Sequence, residues 1–182
     1  MEVVNLPLSG AKLIKPRVFR DPRGFFFESY SAGRYADHGI SEVWVQDNHS
    51  SSVQGTLRGL HYQSTPGQAK LVRVTRGRIF DAIVDIRPES PTFGKWYGEE
   101  LDAEQHCQLY VPVGFAHGFC VLSDIAEVQY KVSSPYDGAN ECGVRWNDAE
   151  IGVAWPVAAP VLSERDQTSE SFAAFKASRG IK

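Results

Sequence analysis

Little in this 182-residue chain points to disulfides, membranes or nucleic acid. There are only three cysteines, Cys107, Cys120 and Cys142, an odd number without zinc-site spacing. That excludes a disulfide framework and leaves them as small apolar filler in a reducing compartment. No apolar stretch approaches the ~20 residues that a membrane helix needs. The Met1–Pro7 segment has neither the basic nor the apolar region of a secretory signal. A cytoplasmic protein without membrane contact is expected. Basic excess is also missing: 19 Lys and Arg against 22 Asp and Glu give a net charge of −3. Nucleic acid is therefore excluded as the main partner, because its phosphate backbone calls for a basic surface. A small anionic ligand needs only a local cluster of cations.

What is present suits a single folded domain over residues 1–182. The 42% hydrophobic content supports a real core, and 23% charge is ordinary. Short runs of β-branched and aromatic residues alternate with Gly, Pro, Asn and Asp, and no helical period is sustained through the middle. The pattern predicts ten strands: 12–18, 24–30, 43–50, 56–62, 70–75, 78–87, 95–101, 108–111, 117–122 and 127–133. Arg76-Gly77-Arg78 reads as a tight hairpin connection. Two helices are predicted, over 31–38 with Ser31 as cap and Gly39 as stop, and over 167–178 ending before Gly180. Strands of this number and spacing make an antiparallel barrel or jelly roll.

Polar chemistry concentrates between Gln46 and Lys70, in Gln46-Asp47-Asn48-His49, Arg58-Gly59-Leu60-His61-Tyr62-Gln63 and Gln68-Ala69-Lys70. His117 and Tyr130 follow. Several cations with a candidate base and a candidate acid suit proton transfer on an anionic substrate. Strand periodicity puts Tyr130 on one face with Ala126 and Val128, Lys70 with Val72 and Val74, and His117 with Phe115 and Phe119. A Lys or His turned inward is costly without a partner or a ligand. Arg58 and His61 have opposite parity; a bulge at Gly59 would re-aim one of them.

Pro112-x-Gly114-x-x-His117 resembles the second motif of the cupins, small β-barrel proteins, and Gly55–Gln63 lies where their first metal motif would. Gln63 and Lys70 stand in place of ligands there, so metal binding is the weaker reading. Over its whole length the chain resembles the dTDP-4-dehydrorhamnose 3,5-epimerases, a metal-free cupin-fold family. The resemblance rests on Phe19-x-Asp21-x-Arg23-Gly24-x-Phe26-x-Glu28, Gln46–Ser50, Gly55–Gln63, Val84-Asp85-Ile86-Arg87-x-x-Ser90–Gly94, Pro112-x-Gly114–Phe119, Trp146-Asn147-Asp148 and Leu162-Ser163-x-x-Asp166. It implies an all-β, cupin-type jelly-roll barrel with a few short peripheral helices. It further implies a cofactor-independent isomerase that inverts C3 and C5 of a dTDP-linked 4-keto-6-deoxyglucose, in rhamnose biosynthesis, and a homodimer formed by sheet extension.

The same resemblance makes His61 the base, Asp166 its orienting partner, Lys70 the stabiliser of the O4 charge and Tyr130 the acid. It gives ligand contacts to Arg23, Glu28, Gln46, Asp47, Asn48, Arg58, Lys70, His117, Glu141 and Arg165, with no metal. The alternatives are a mono-epimerase acting at C3 or C5, a metal-dependent cupin using His61 and His117, and a non-catalytic sugar-nucleotide-binding protein. Blander roles compete for single residues: a core histidine at His61, a core aromatic at Tyr130, a helix N-cap at Asp166. His106 reads as a surface residue, and Asp81 and Asp85 as partners of inward arginines.

Overall fold

The computed structural model describes residues 1–181. Thirteen strands build it: β1 (Glu2–Asn5), β2 (Lys12–Lys15), β3 (Phe19–Asp21), β4 (Gly24–Phe26), β5 (Gln46–Val53), β6 (Leu57–Gln63), β7 (Lys70–Arg76), β8 (Arg78–Asp85), β9 (Trp96–Asp102), β10 (Gln108–Val111), β11 (Phe115–Val121), β12 (Ile125–Val132) and β13 (Glu141–Gly143). Three short helices accompany them, α1 (Ala32–Ala36), α2 (Glu164–Thr168) and α3 (Phe172–Ser178). Six strands form one antiparallel sheet in the order β1-β2-β10-β7-β12-β5, and five form another in the order β13-β6-β11-β8-β9. β3 and β4 pair only with each other. This is the expected jelly-roll barrel with peripheral helices.

Period-2 patterning decides what the sheets enclose. On β12, Ala126 and Val128 are buried while Glu127 and Gln129 face away. Val72, Val74, Ile79, Ile83, Leu109, Phe115 and Phe119 join them in the core between the sheets. Both outer faces are partly covered. Tyr35 of α1 and Ile40 pack with Ile14, Leu71 and Tyr110 on the large sheet. Phe172 and Phe175 of α3 pack with Leu60, Val84 and Ala116 on the smaller one. At ~25 cal/mol per Å² of apolar surface, burying each such ring contributes roughly 1.5–3 kcal/mol.

Two local readings need correction. Gly77 does not close a hairpin: β7 pairs with β10 and β12, whereas β8 pairs with β11 and β9, so the turn is a corner between sheets. A Cβ on Gly77 would stand 2.1 Å from the Ile125 carbonyl oxygen, so the corner itself requires glycine. The C-terminal helix is two helices, because the backbone at Glu170 is drawn out to bond Arg145 and Ser171 caps a fresh start at the Ala174 amide. In addition, β1, β3 and β13 are too short to stand out by periodicity.

The parity conflict on β6 is resolved by a bulge. His117 of β11 lies opposite His61, but Phe119 lies opposite Arg58, so two residues of β6 face one of β11. Gly59 sits there with φ +136°, and a Cβ on it would meet the Gly118 Cα at 2.5 Å. The backbones touch where neither strand carries a side chain. Gly59→Ala should therefore destabilise the protein by about 2 kcal/mol or more and lower activity by moving Arg58 relative to His61. Denaturant unfolding checks this; an unchanged midpoint would show that the close approach is not maintained in solution.

Candidate active site

The bulge aims Arg58 and His61 into one cavity of about 310 Å³ between the sheets. β6 and β11 of the smaller sheet bring His61 and His117 to it. β5, β7 and β12 of the larger sheet bring Asn48, Lys70 and Tyr130. Glu141 of β13 and Arg165 and Asp166 of α2 complete the wall. Nine of the thirteen predicted site residues thus converge. Base and acid candidates sit on opposite sheets.

His61 is oriented by Asp166, whose Oδ1 lies 2.5 Å from its Nε2. Asp166 is buried, the third residue of α2, and does not cap the helix. Ser163 does, accepting from the Asp166 amide at 3.1 Å while its hydroxyl donates to Asp166 Oδ2 at 2.7 Å. Burial pushes the Asp166 carboxyl up. Hydrogen bonds from His61 and Ser163, the His61 charge and the Gly59 amide outweigh that and hold it below the usual carboxylate range. An ionised Asp166 puts the proton of neutral His61 on Nε2 and leaves Nδ1 free to act as a base.

His117 forms a second pair, its Nε2 lying 2.9 and 3.0 Å from the two oxygens of fully buried Asp81. Asp81 was expected to meet an arginine and holds this histidine instead. Asp85 does meet one, Arg87. Lys70 is buried and donates to the His61 carbonyl oxygen at 3.3 Å. Burial brings its pKa down to about 8, against the opposing pull of Glu141 and Asp81. The Tyr130 phenol is pushed up by burial and by Glu141, with Arg58 opposing, so it keeps its proton at neutral pH. It has no hydrogen-bond partner among the described residues. Glu141 is desolvated, yet Arg165 and the Tyr136 hydroxyl hold it below its ordinary value.

Arg58 donates its Nε to Ser52 at 3.1 Å, and no carboxylate pairs with it among the described residues. Its remaining donors are available to an anion. Among the described residues no three His, Cys, Asp or Glu side chains are grouped to hold a metal ion. The cavity can therefore abstract a proton at His61, hold an oxyanion at Lys70 and supply a proton from Tyr130.

Four expected ligand residues do not line the cavity. Gln46 bonds Asn48 and the Tyr136 amide beside it, and Asp47 faces outward to Lys131. Glu28 pairs with Arg34. Arg23 is exposed on the β3–β4 hairpin, paired with Asp21. His106 is not a surface residue: it is buried, stacked on Phe27 and tilted against Phe25. Five further cavity residues, Ser50, Gln68, Phe119, Tyr136 and Ser163, were not among the predicted site residues. Ser163 carried the Ser-x-x-Asp spacing of a capping box, and Gln68 lay in the polar run Gln68-Ala69-Lys70.

Comparison with known proteins places this geometry. The family model described as dTDP-4-dehydrorhamnose 3,5-epimerase matches residues 5–174. The enzyme of that name from Pseudomonas aeruginosa is 49% identical over 177 residues, 95% of this chain and 97% of its own length. A relative from Neisseria gonorrhoeae is 48% identical, and this chain spans 53% of its length. A dTDP-4-dehydrorhamnose 3-epimerase from Streptomyces niveus is 42% identical, covering 92% of this chain and 82% of its own. Among solved structures, the Legionella pneumophila 3,5-epimerase in complex with dTDP-4-keto-L-rhamnose superposes with a TM-score of 0.94 at 42% identity, over 97% of this chain and 95% of that one. With a family model spanning most of its length and relatives at nearly half identity matched almost end to end, the chain belongs to the dTDP-4-dehydrorhamnose 3,5-epimerase family.

Proposed function

We propose that this cavity inverts C3 and C5 of dTDP-4-dehydro-6-deoxy-D-glucose, giving dTDP-4-dehydro-L-rhamnose for rhamnose biosynthesis, through the residue roles that follow. The observation that carries these roles is the placement of His61 and Tyr130 on opposite sheets of one cavity that Lys70 also lines. A hydrogen beside the ketone is acidic because its bonding pair can delocalise into an enolate. His61 Nδ1 takes that proton, the electron pair forms the C=C bond, and O4 becomes the oxyanion. Asp166 stabilises the imidazolium. Lys70, itself buried, offsets the charge at O4. The Tyr130 phenol then gives its proton to the carbon from the other side; the ketone re-forms, and proton exchange with solvent resets both groups. Repetition at the second carbon completes the reaction. Arg58 and Arg165 face the diphosphate, and His117, held by Asp81, contacts the sugar.

The same reading accounts for Arg23 and Glu28. The β3–β4 hairpin pairs with no other strand and exposes Phe19 and Phe26. In a homodimer this hairpin reaches the partner's cavity, where Arg23 and Glu28 contact the nucleotide. Buried, unpaired Cys107 and Cys120 accord with a reducing cytoplasm.

Incubation with the 4-keto sugar nucleotide in heavy water should load deuterium at both C3 and C5. Exchange at one carbon alone would reassign the protein as a mono-epimerase, and exchange at neither would end the epimerase reading. His61→Asn should lower turnover by about 10²–10⁴-fold while dTDP binding, read by calorimetry, persists.

Lys70 acts as a cation, so kcat/KM should decline as pH rises through about 8. Residual activity of Lys70→Met should lack that limb. Stability moves the other way. Between about pH 8 and 10.5 the unfolded chain still binds the lysine proton that the folded chain has released, so folding gains with pH. Lys70→Met should be the more stable protein at pH 7, and its advantage should shrink across that window. An advantage independent of pH would contradict the assignment.

Sedimentation should show a dimer. Mixing His61→Asn and Arg23→Ala subunits should restore activity above either parent, since one site of each mixed dimer has both residues. No recovery would place Arg23 outside catalysis in trans.

A further inference from the structure

We infer that Phe119 is the wall that recognises the methyl group of a 6-deoxy sugar, and so sets specificity at C6; this rests on the epimerase reading above. Fourteen residues line the catalytic cavity, and thirteen of them carry a polar atom in the side chain. Phe119 alone does not. Its ring is 5% exposed and belongs to the same core cluster as Val72, Ala126 and Val128, so its back is fixed by packing while its front borders the cavity. β11 places it opposite Arg58, at the bulge that shapes the site.

The proposed substrate has a matching asymmetry. Its ketone, hydroxyls and diphosphate can all find donors or acceptors among Lys70, Arg58, Asn48 and their neighbours. C6, a bare methyl, can find none and needs none. Set against Phe119, a methyl stays in van der Waals contact. A hydroxymethyl there would give up water without a replacement partner. Its position on the rigid β11, supported from the core, makes it a fixed gauge.

Calorimetry with two unreactive ligands tests this directly: dTDP-6-deoxy-D-glucose and dTDP-D-glucose differ only in the oxygen on C6. The native protein should bind the 6-deoxy ligand tighter by on the order of 10- to 100-fold. Phe119→Ser, which offers a hydroxyl at the wall, should reduce that ratio at least tenfold, chiefly through tighter binding of the glucose ligand. Phe119→Leu should keep it. Phe119→Tyr, which retains the core-filling ring, provides the same reading if Phe119→Ser fails to fold, and it too should reduce the ratio. Variants that weaken both ligands by one common factor, or a native protein that does not distinguish them, would overturn the inference and reduce Phe119 to core packing. Deuterium exchange at C3 and C5 is measured separately, so loss of the epimerase reading and loss of this one give different results.

Discussion

The Asp166 carboxylate is where the chain's separate parts are tied to one another. It receives the imidazole of His61 from β6 and the hydroxyl of Ser163 from the start of α2, and the nearby Gly59 amide of the bulge helps to lower its pKa. A buried carboxylate alone would protonate or drive local unfolding. With these donors it stays ionised, and His61 and Ser163 fix where the imidazole and the start of α2 must lie. The tautomer of His61 follows from the ionisation of Asp166. The position of Arg58 follows from the bulge between it and His61 on the same strand. Close contact between Gly59 and Gly118 leaves room for that arrangement and for no side chain.

Around this centre the cavity balances charge without cancelling it. Arg165 and Tyr136 hold Glu141, and His117 holds Asp81, so the carboxylates are occupied by specific donors. Lys70 and Arg58 are left with no carboxylate bonded to them. The cationic surplus is local, inside a protein of net charge −3. In the proposed reaction this surplus attracts the anionic substrate, and the enolate oxygen forming beside buried Lys70 is stabilised by it. The cost of burying that lysine appears in its lowered pKa.

Much of this was legible in the residues themselves. Alternation on Ala126-Glu127-Val128-Gln129-Tyr130 placed the phenol inside, and the same rule placed Lys70 and His117 correctly, because a half-buried strand has only two faces. Periodicity misjudged Gly77, since a glycine turn looks the same whether it joins paired strands or turns between sheets. It ran the last helix through Glu170, since helical propensity is local and the bond from Arg145 is not. His106 was misread as exposed because an imidazole in a polar stretch gives no local sign of burial, and Asp81 was given an arginine because nothing local points to His117, which lies 36 residues on.

The sequence by itself determined the strand pattern, the inward faces and the set of groups able to move a proton, because those depend on side-chain type and near-neighbour spacing. Only the tertiary structure decided that Arg58 and His61 share a cavity, that Asp81 serves His117, and that the Arg23 hairpin stands apart from the cavity of its own chain. Each of these depends on strand register and on contacts between segments tens of residues apart. Register shifts by one residue reverse a side chain's face, and no local signal records which shift is taken.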